Sequence, residues 1–477
     1  LANFVPAYES RESAHPVRSF SSDDYYGFLK PDDGEWKEDF AGNHTLDIGI
    51  GRLPVKTIAE AETAVSKIIR YNAKRSKGDW RQRIAFVADD GDDNLHQKDA
   101  DDLSKIVAEL APRYALHKVY VDGYPQFGST IQRAPGAGQA VDRYVNEGAL
   151  IVNYTGHGGI STWSDEQIVT LQNLFNWRNL DNMPLIITAT CEFGRYDNPG
   201  EASGAEISVL SPRGGAIAML TTSRPVYANT NFLVNAAFYR AVFEPQNGKM
   251  PRLGDVIRMT KNKSVYDVLN RNFTLLGDPS LQLNYGDYQV SVMANDTLKA
   301  GQLAKLSGEI QKDGATVTDF TGTAIVTVYD KESKLLTLGD KARGEAPNIT
   351  PANPKMQYGL YDKKLFEGKV SVKAGKFNVQ FIVPKNISPS FSNGKIEVYA
   401  VKADSLRDAV GGTKRVMVGG SGSLQNDTKP PQMQLYLNDE LFVDGSQVED
   451  SPLFVAKLSD ENGLNFAANM TLTLNDT

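Results

Sequence analysis

Over roughly its first 285 residues the chain alternates between two hydrophobic patterns. Short, nearly all-apolar runs recur: IAFVA (Ile84–Ala88), HKVYV (His117–Val121), ALIVNYT (Ala149–Thr155), PLIITAT (Pro184–Thr190) and GAIAML (Gly215–Leu220). Between them lie segments with helical spacing of apolar positions: AEAETAVSKIIRYNAK after Ile58, KDADDLSKIVAEL after Gln97 and AGQAVDRYVNEG before Ala149. Strands separated by helices, and apolar on both faces, predict a parallel sheet covered on both sides. The predicted fold class is therefore α/β, doubly wound and mainly parallel, with helices on both faces.

After about Leu283 the helical period gives way to alternation, in YQVSVMA, TAIVTVYD, GKVSVKAGKFNVQFIV and GKIEVYAVKA, broken by Gly, Pro, Asn and Asp turns. That is the pattern of an antiparallel β-sandwich. The stretch GGSGSLQNDTKPPQ (Gly419–Gln432) combines flexible Gly/Ser with a proline pair and predicts a linker, after which MQLYLNDELFVDG opens another β module. The expected domains are 1–285, α/β; 286–420, β-sandwich; and 421–477, linker and the start of a further β domain. At 477 residues the length fits about three domains of roughly 150 residues. The chain starts at Leu1 without a methionine and ends inside the alternation TLTLNDT, so the expectation is a fragment of a longer protein.

Composition narrows the chemistry. A formal charge of -7 argues against a nucleic-acid partner, because neutralising phosphates needs a positive field. No apolar run is long enough to cross a bilayer. With one cysteine, Cys191, neither an internal disulfide nor a thiolate zinc cluster can form.

Two strand ends concentrate reactive groups. LIVNYT runs into GHGG, which sets His157 among glycines, and LIITAT runs directly into Cys191, Glu192, Phe193 and Gly194. Ligands of open α/β sheets gather beyond the carboxyl ends of the strands. If these two strands are neighbours, both side chains reach one crevice. An imidazole can take the proton of a thiol, or hold it as an ion pair, and then protonate a leaving amine. The N–H groups of Gly158 and Cys191 are candidate donors to a tetrahedral oxyanion. Composition alone leaves a second account open, in which Cys191 is a small buried hydrophobe and His157 is structural. The acidic run Asp89–His96, DDGDDNLH, leaves a third strand end. One carboxylate there could orient His157, and others could hold a structural Ca²⁺, although the spacing is not that of an EF-hand and a solvated turn before a helix near Gln97 is the competing reading. SRPVYANTNFL (Ser223–Leu233) follows a further strand, which makes Ser223, with Trp163 opposite, candidates for lining a substrate cleft; core packing is the alternative for the aromatic residue.

NYTGHGG, ATCEFG, LLGDPSLQL and IGRLPV resemble motifs of the gingipain family of cysteine peptidases, with the resemblance running from about Phe4 to Leu283. GHGGISTW and QLYLNDELFVDG are similar to sequences of that family's type IX secretion sortase branch. The resemblance implies a caspase/gingipain-like catalytic domain followed by an immunoglobulin-like β domain, with Cys191 as nucleophile and His157 as its partner. The family's third catalytic member, a Glu before a Gly, falls on Asp90 before Gly91, one methylene shorter. The acidic residue that selects arginine in some relatives falls near Asp93, in a shorter loop. For the sortase branch the resemblance implies removal of a C-terminal sorting domain from secreted cargo and transfer of the new carboxyl end to a lipopolysaccharide amine. The place of action would be the outer surface of a Gram-negative bacterium. The implied partners are the cargo C-terminal domain, an outer-membrane β-barrel of the PorV type and attachment-complex proteins that hold the enzyme peripherally at the membrane. No cofactor is required; Ca²⁺ would be structural. A secreted gingipain-type endopeptidase that only hydrolyses, and a non-catalytic surface module, are the alternatives.

Overall fold

A computed structural model describes residues 4–10, 19–30, 44–128, 132–265, 268–294, 297–339, 354–422, 430–448 and 452–460. The chain forms two units, Leu1–Gly286 with Lys334–Leu360, and Asp287–Ser333 with Tyr361–Thr477.

In the first unit, β1 (Tyr8–Glu9) pairs with β2 (Ser21–Ser22) as a small antiparallel ribbon. The main sheet contains β3 (Arg83–Ala88), β4 (Ala115–Tyr120), β5 (Ile151–Thr155), β6 (Leu185–Ala189), β7 (Ala218–Thr222) and β8 (Phe273–Leu276). Their order is β4-β3-β5-β6-β7-β8, parallel throughout except for β8, which runs antiparallel to β7. The chain builds β3 and β4 outward in one direction, then crosses back to lay β5, β6 and β7 in the other. The carboxyl ends of β3 and β5 therefore flank the point where the winding reverses, the place where open α/β sheets hold their ligands.

Seven α-helices are described in this unit: α1 (Ile58–Tyr71), α2 (Gly91–Leu110), α3 (Pro135–Asn146), α4 (Leu171–Asn176), α5 (Gly204–Leu210), α6 (Ala228–Val242) and α7 (Leu253–Lys263). Alternate strand residues feed two cores. Ile84, Phe86 and Ala88 pack with Leu103 and Val107 of α2, Phe238 of α6 and Val256 of α7. Ala85 and Val87 face the other way, into a core shared with Val141 of α3 and Val209 of α5. Burial on both faces is why these strands read as unbroken apolar runs, and each fully buried Val, Ile or Phe contributes about 1.5–3 kcal/mol. Side-chain caps open α1 and α5. Thr57 accepts from the Glu60 amide ahead of α1, and Ser203 and Glu206 form a reciprocal capping box at α5. The C-terminal end of α5 is held by Lys67 of α1, whose buried ammonium donates to the carbonyls of Ser208, Val209 and Gly214 at 3.2, 2.6 and 2.8 Å.

The second unit is built of β-strands around one core that includes Leu306, Ile310, Val326, Phe377, Val379, Ile396 and Val398. Gly322–Tyr329 pairs antiparallel with both Lys364–Val372 and Ser392–Lys402, and Asp408–Ser421 closes against Tyr288–Ala294 in parallel. Of the expected linker, Gly419–Ser421 finishes the strand Asp408–Ser421, while residues 423–429 lie outside the described residues. Gln432–Leu437 then pairs with Phe454–Ser459.

One feature departs from the expected order of domains. Residues 334–339 and 354–360, which sit in sequence inside the β-rich half, belong to the first unit. The amides of Leu338 and Gly339 donate to Asp122, Lys118 Nζ donates to the Gly359 carbonyl at 2.8 Å, and the Tyr358 ring meets Tyr120 edge-on at 4.9 Å.

Candidate active site

The register of the sheet brings the two reactive strand ends together. β5 and β6 are parallel neighbours with Thr155 opposite Ala189, and the ladder continues one residue further, where the Gly156 amide donates to the Ala189 carbonyl at 3.3 Å. His157 and Cys191 each stand two residues past that matched pair, on strands about 4.8 Å apart. The next residue closes the gap from the histidine side, because a Cβ on Gly158 would sit 2.6 Å from Thr190 Oγ1, immediately before the cysteine. Only a glycine lets the His157 loop lie this close to the cysteine strand.

Cys191 is half-buried, and burial pushes its thiol pKa up; the Val226 backbone amide, donating to the sulfur, pulls it the other way. The next residue, Glu192, has left-handed backbone (φ 58°), so the chain turns sharply away from the sheet just after the sulfur. The amides of Gly158 and Cys191 donate to no other backbone group among the described residues.

His157 is exposed, and the turn after β3 surrounds it. Its backbone amide donates to Asp89 Oδ2 at 3.0 Å, its carbonyl accepts from Tyr154 Oη, and its ring Nε2 lies 3.3 Å from Asp92 Oδ2. No hydrogen bond joins the ring to the sulfur among the described residues, so the imidazole rests against the acidic turn. A Cβ at Gly91 would come within 2.9 Å of His157 Cδ2, so this glycine too leaves room for the ring. Asp92, Asp93 and Asn94 take left-handed conformations in succession (φ 55°, 57° and 62°) at the start of α2. Such backbone costs roughly 1–2 kcal/mol per non-glycine residue and gathers where a side chain must be aimed. Here it aims the Asp92 carboxylate at the imidazole.

That geometry places three of the expected site residues. The carboxylate facing the imidazole is Asp92, whereas Asp90 is buried and accepts from Gln126 Nε2. Trp163 does not line a cleft: it is fully buried, stacked on Tyr154 at 4.7 Å and edge-on to Phe193 at 5.8 Å, so it is a core residue that stiffens the loop behind His157. Ser223 is likewise fully buried, its hydroxyl donating to the Ser21 carbonyl at 2.7 Å. Asp93 is exposed beside Asp92. The regular part of α2 also begins earlier than Gln97, directly after Asn94.

No local pattern along the chain marks the pair that holds the cysteine loop. Arg224 donates to both oxygens of Asp197 and reaches Glu9 Oε2 of β1 at 3.3 Å, tying the segment after β7 to the loop after Cys191. Arg52 braces the same loop, its guanidinium 4.8 Å over the Tyr196 ring while paired with Asp23. Burial, with the Asp197 charge beside it, raises Glu9 to about 7.

Among the described residues, two groups of side chains have the donors to hold a cation. Asp89, Asp90 and Glu166, all buried, offer carboxylate oxygens within 4.8 Å of one another, a donor set suited to Ca²⁺. Burial, reinforced by Asp90 and Asp89, raises Glu166 to about 7. Asp89, His96 and His157 form the second group.

A doubly wound sheet with a lone thiol and a glycine-embedded imidazole at the ends of adjacent strands is the architecture of a cysteine peptidase. Residues 2–284 match the model of peptidase family C25, and the chain belongs to that family. No curated protein sequence matches the chain. Among solved structures it is similar to the Arg-specific cysteine proteinase gingipain R (RgpB), at 16% identity and a TM-score of 0.44 over 82% of this chain and 79% of that one. The complex of Porphyromonas gingivalis RgpB pro- and mature domains aligns at 15% identity and a TM-score of 0.43, over 82% and 81% of the two chains. Dimeric latent PorU from Porphyromonas gingivalis aligns at 23% identity and a TM-score of 0.33, over 98% of this chain and 38% of that one.

Proposed function

We propose that this chain is the catalytic part of a cell-surface sortase, which removes the C-terminal sorting domain of secreted cargo through a thioester on Cys191. The observation that carries the chemistry is the common register of His157 and Cys191 beyond the Thr155–Ala189 pair. The cargo and acceptor are taken from the motif resemblance to the sortase branch.

The steps follow from the residues. His157 takes the thiol proton, and the Cys191 sulfur adds to the scissile carbonyl carbon while the Gly158 and Cys191 amides receive the oxyanion. The C–N bond breaks as the imidazolium returns its proton to the departing amine, leaving an acyl thioester. An incoming lipopolysaccharide amine then attacks that thioester, giving up a proton to the His157 imidazole, and the thiolate leaves as the new amide forms. Burial of the sulfur makes the imidazole necessary, since an isolated buried thiol stays protonated at neutral pH. The rest of the ring's surroundings, Asp92 above all, stabilises the imidazolium between the two proton transfers.

Partners would be the cargo sorting domain, a PorV-type outer-membrane barrel and attachment-complex proteins. No helix among the described residues is long and apolar enough to cross a membrane, which fits a peripheral role held through partners.

The test is processing of a cargo bearing its sorting domain, with products weighed by mass spectrometry. The expectation is loss of processing in Cys191→Ala with an unchanged melting curve, and a wild-type product carrying the added amine. A product ending only in a free carboxylate would make the chain a plain endopeptidase, and processing retained by Cys191→Ala would remove the nucleophile.

A further inference from the structure

His96 is the least explained residue near the site. It lies on α2, is 4% exposed, and neither of its ring nitrogens has a hydrogen-bond partner among the described residues. A buried imidazole with both nitrogens unmet loses the desolvation energy of two polar groups, so it needs a reason to be there. Its ring stands perpendicular to that of His157 with centroids 5.0 Å apart. Its Nε2 is 3.5 Å from Asp92 Oδ2, the same oxygen that lies 3.3 Å from His157 Nε2. A nitrogen from each ring and an oxygen of Asp89 fall within 4.8 Å of one another.

We propose that His96, His157 and Asp89 form a site for a divalent cation of the zinc class, with Asp92 at hand as a fourth donor, and that the bound ion switches the peptidase off. Two imidazoles and a carboxylate suit Zn²⁺ and its neighbours, and are the wrong donors for Ca²⁺ or Mg²⁺, which take oxygen. Donors around a tetrahedral Zn²⁺ with bonds of about 2.0–2.2 Å stand roughly 3.3–3.5 Å apart. The trio here needs to contract by at most about 1.5 Å, which the exposed His157 side chain can supply. The desolvated environment also keeps His96 neutral, at about 4, so that its lone pair is available to a metal through the physiological range.

The consequence for activity follows from imidazole chemistry, and it rests on His157 being the proton acceptor of Cys191. A neutral imidazole has one basic nitrogen. Once the metal takes that lone pair, the other nitrogen carries its hydrogen and cannot accept the thiol proton. The ion bonds to nitrogen and oxygen without a change of oxidation state, and chelation restores the free ring.

The experiment titrates ZnCl₂ into the intact, chelator-stripped protein carrying Cys191→Ser, so that sulfur cannot be a ligand. Calorimetry should record one ion per chain, with affinity falling by roughly 10- to 100-fold or more in His96→Gln and in His157→Gln. No binding in the Cys191→Ser protein, or binding that both histidine variants retain, overturns the proposal. Because His157 is exposed, its variant reports on the site even if His96→Gln folds poorly, and His96→Asn provides a second replacement inside the helix. In parallel, peptide hydrolysis by the wild type should be lost with added Zn²⁺ and restored by chelator, whereas His96→Gln, measured against its own metal-free rate, should need a correspondingly higher Zn²⁺ concentration for inhibition. Histidine-dependent binding in a chain without hydrolytic activity would leave the metal site standing and remove the peptidase reading; hydrolysis without such binding would do the reverse.

Discussion

Replacing His96 with glutamine should change how the protein withstands acid, by an amount that the burial of this ring sets. An ordinary histidine titrates near 6.5, but burial, with the His157 ring beside it, holds His96 down at about 4, and Asp92 only partly offsets this. Above pH 6.5 the ring is neutral folded and unfolded, so its contribution is fully present. Between pH 6.5 and 4 the unfolded chain accepts a proton that the folded chain refuses, and stability is lost until the folded ring also protonates. A difference of 2.5 between 6.5 and 4, at 1.36 kcal/mol each, amounts to about 3 kcal/mol. Glu166, raised to about 7, works in the opposite sense, since its contribution is present in acid and lost as pH rises toward 7. It is common to wild type and variant, so the difference between them isolates His96. The assay is urea unfolding of both proteins in EDTA at several values from pH 7.5 to 4, reading the transition of the α/β unit. Relative to the variant, the wild type should lose about 3 kcal/mol over this range. A difference that stays flat to within about 1 kcal/mol would mean that the ring is protonated in the fold, and the neutral buried imidazole would be wrong.

Other consequences are as direct. Gly158→Ala puts a methyl 2.6 Å from Thr190 Oγ1, so it should cost roughly 1–3 kcal/mol in stability and lower kcat by displacing the His157 loop; thermal melting and peptide hydrolysis check both. Arg224→Met leaves Asp197, 9% exposed, without its cation, and should lower kcat several-fold with the fold intact, Arg224→Lys recovering part of the loss; equal rates in all three proteins would remove Arg224 from any positioning role. Iodoacetamide should modify Cys191 more slowly in His157→Ala than in wild type at pH 7, the two rates converging as pH rises past the thiol's own raised pKa; identical rates at pH 7 would mean that the imidazole does nothing for the sulfur.

The main sheet was legible because double burial writes itself as continuous apolar runs, from Ile84–Ala88 to Gly215–Leu220. Cys191 and His157 were legible for a different reason: one is the sole cysteine, the other lies among glycines, and both follow such a run. What escaped the pattern depends on backbone geometry and distant partners. Asp90 and Asp92 are equivalent in composition, and only the left-handed conformations of Asp92, Asp93 and Asn94 decide which carboxylate meets the ring. Trp163 could equally line a cleft or fill a core until its stack on Tyr154 is seen. Arg224 and Asp197 are 27 residues apart, a contact that no local period encodes. The return of residues 334–339 and 354–360 to the α/β unit is hidden for the same reason, since a short strand such as Gln357–Leu360 reads alike whichever unit it joins.

The most direct test of the chemistry is to quench wild-type protein during turnover of a cargo peptide and weigh the digested fragments. The account predicts an acyl group in thioester linkage on the fragment that contains Cys191, labile to hydroxylamine and missing from His157→Ala. Turnover with no covalent species on that sulfur, or with the acyl group on another side chain, would contradict it.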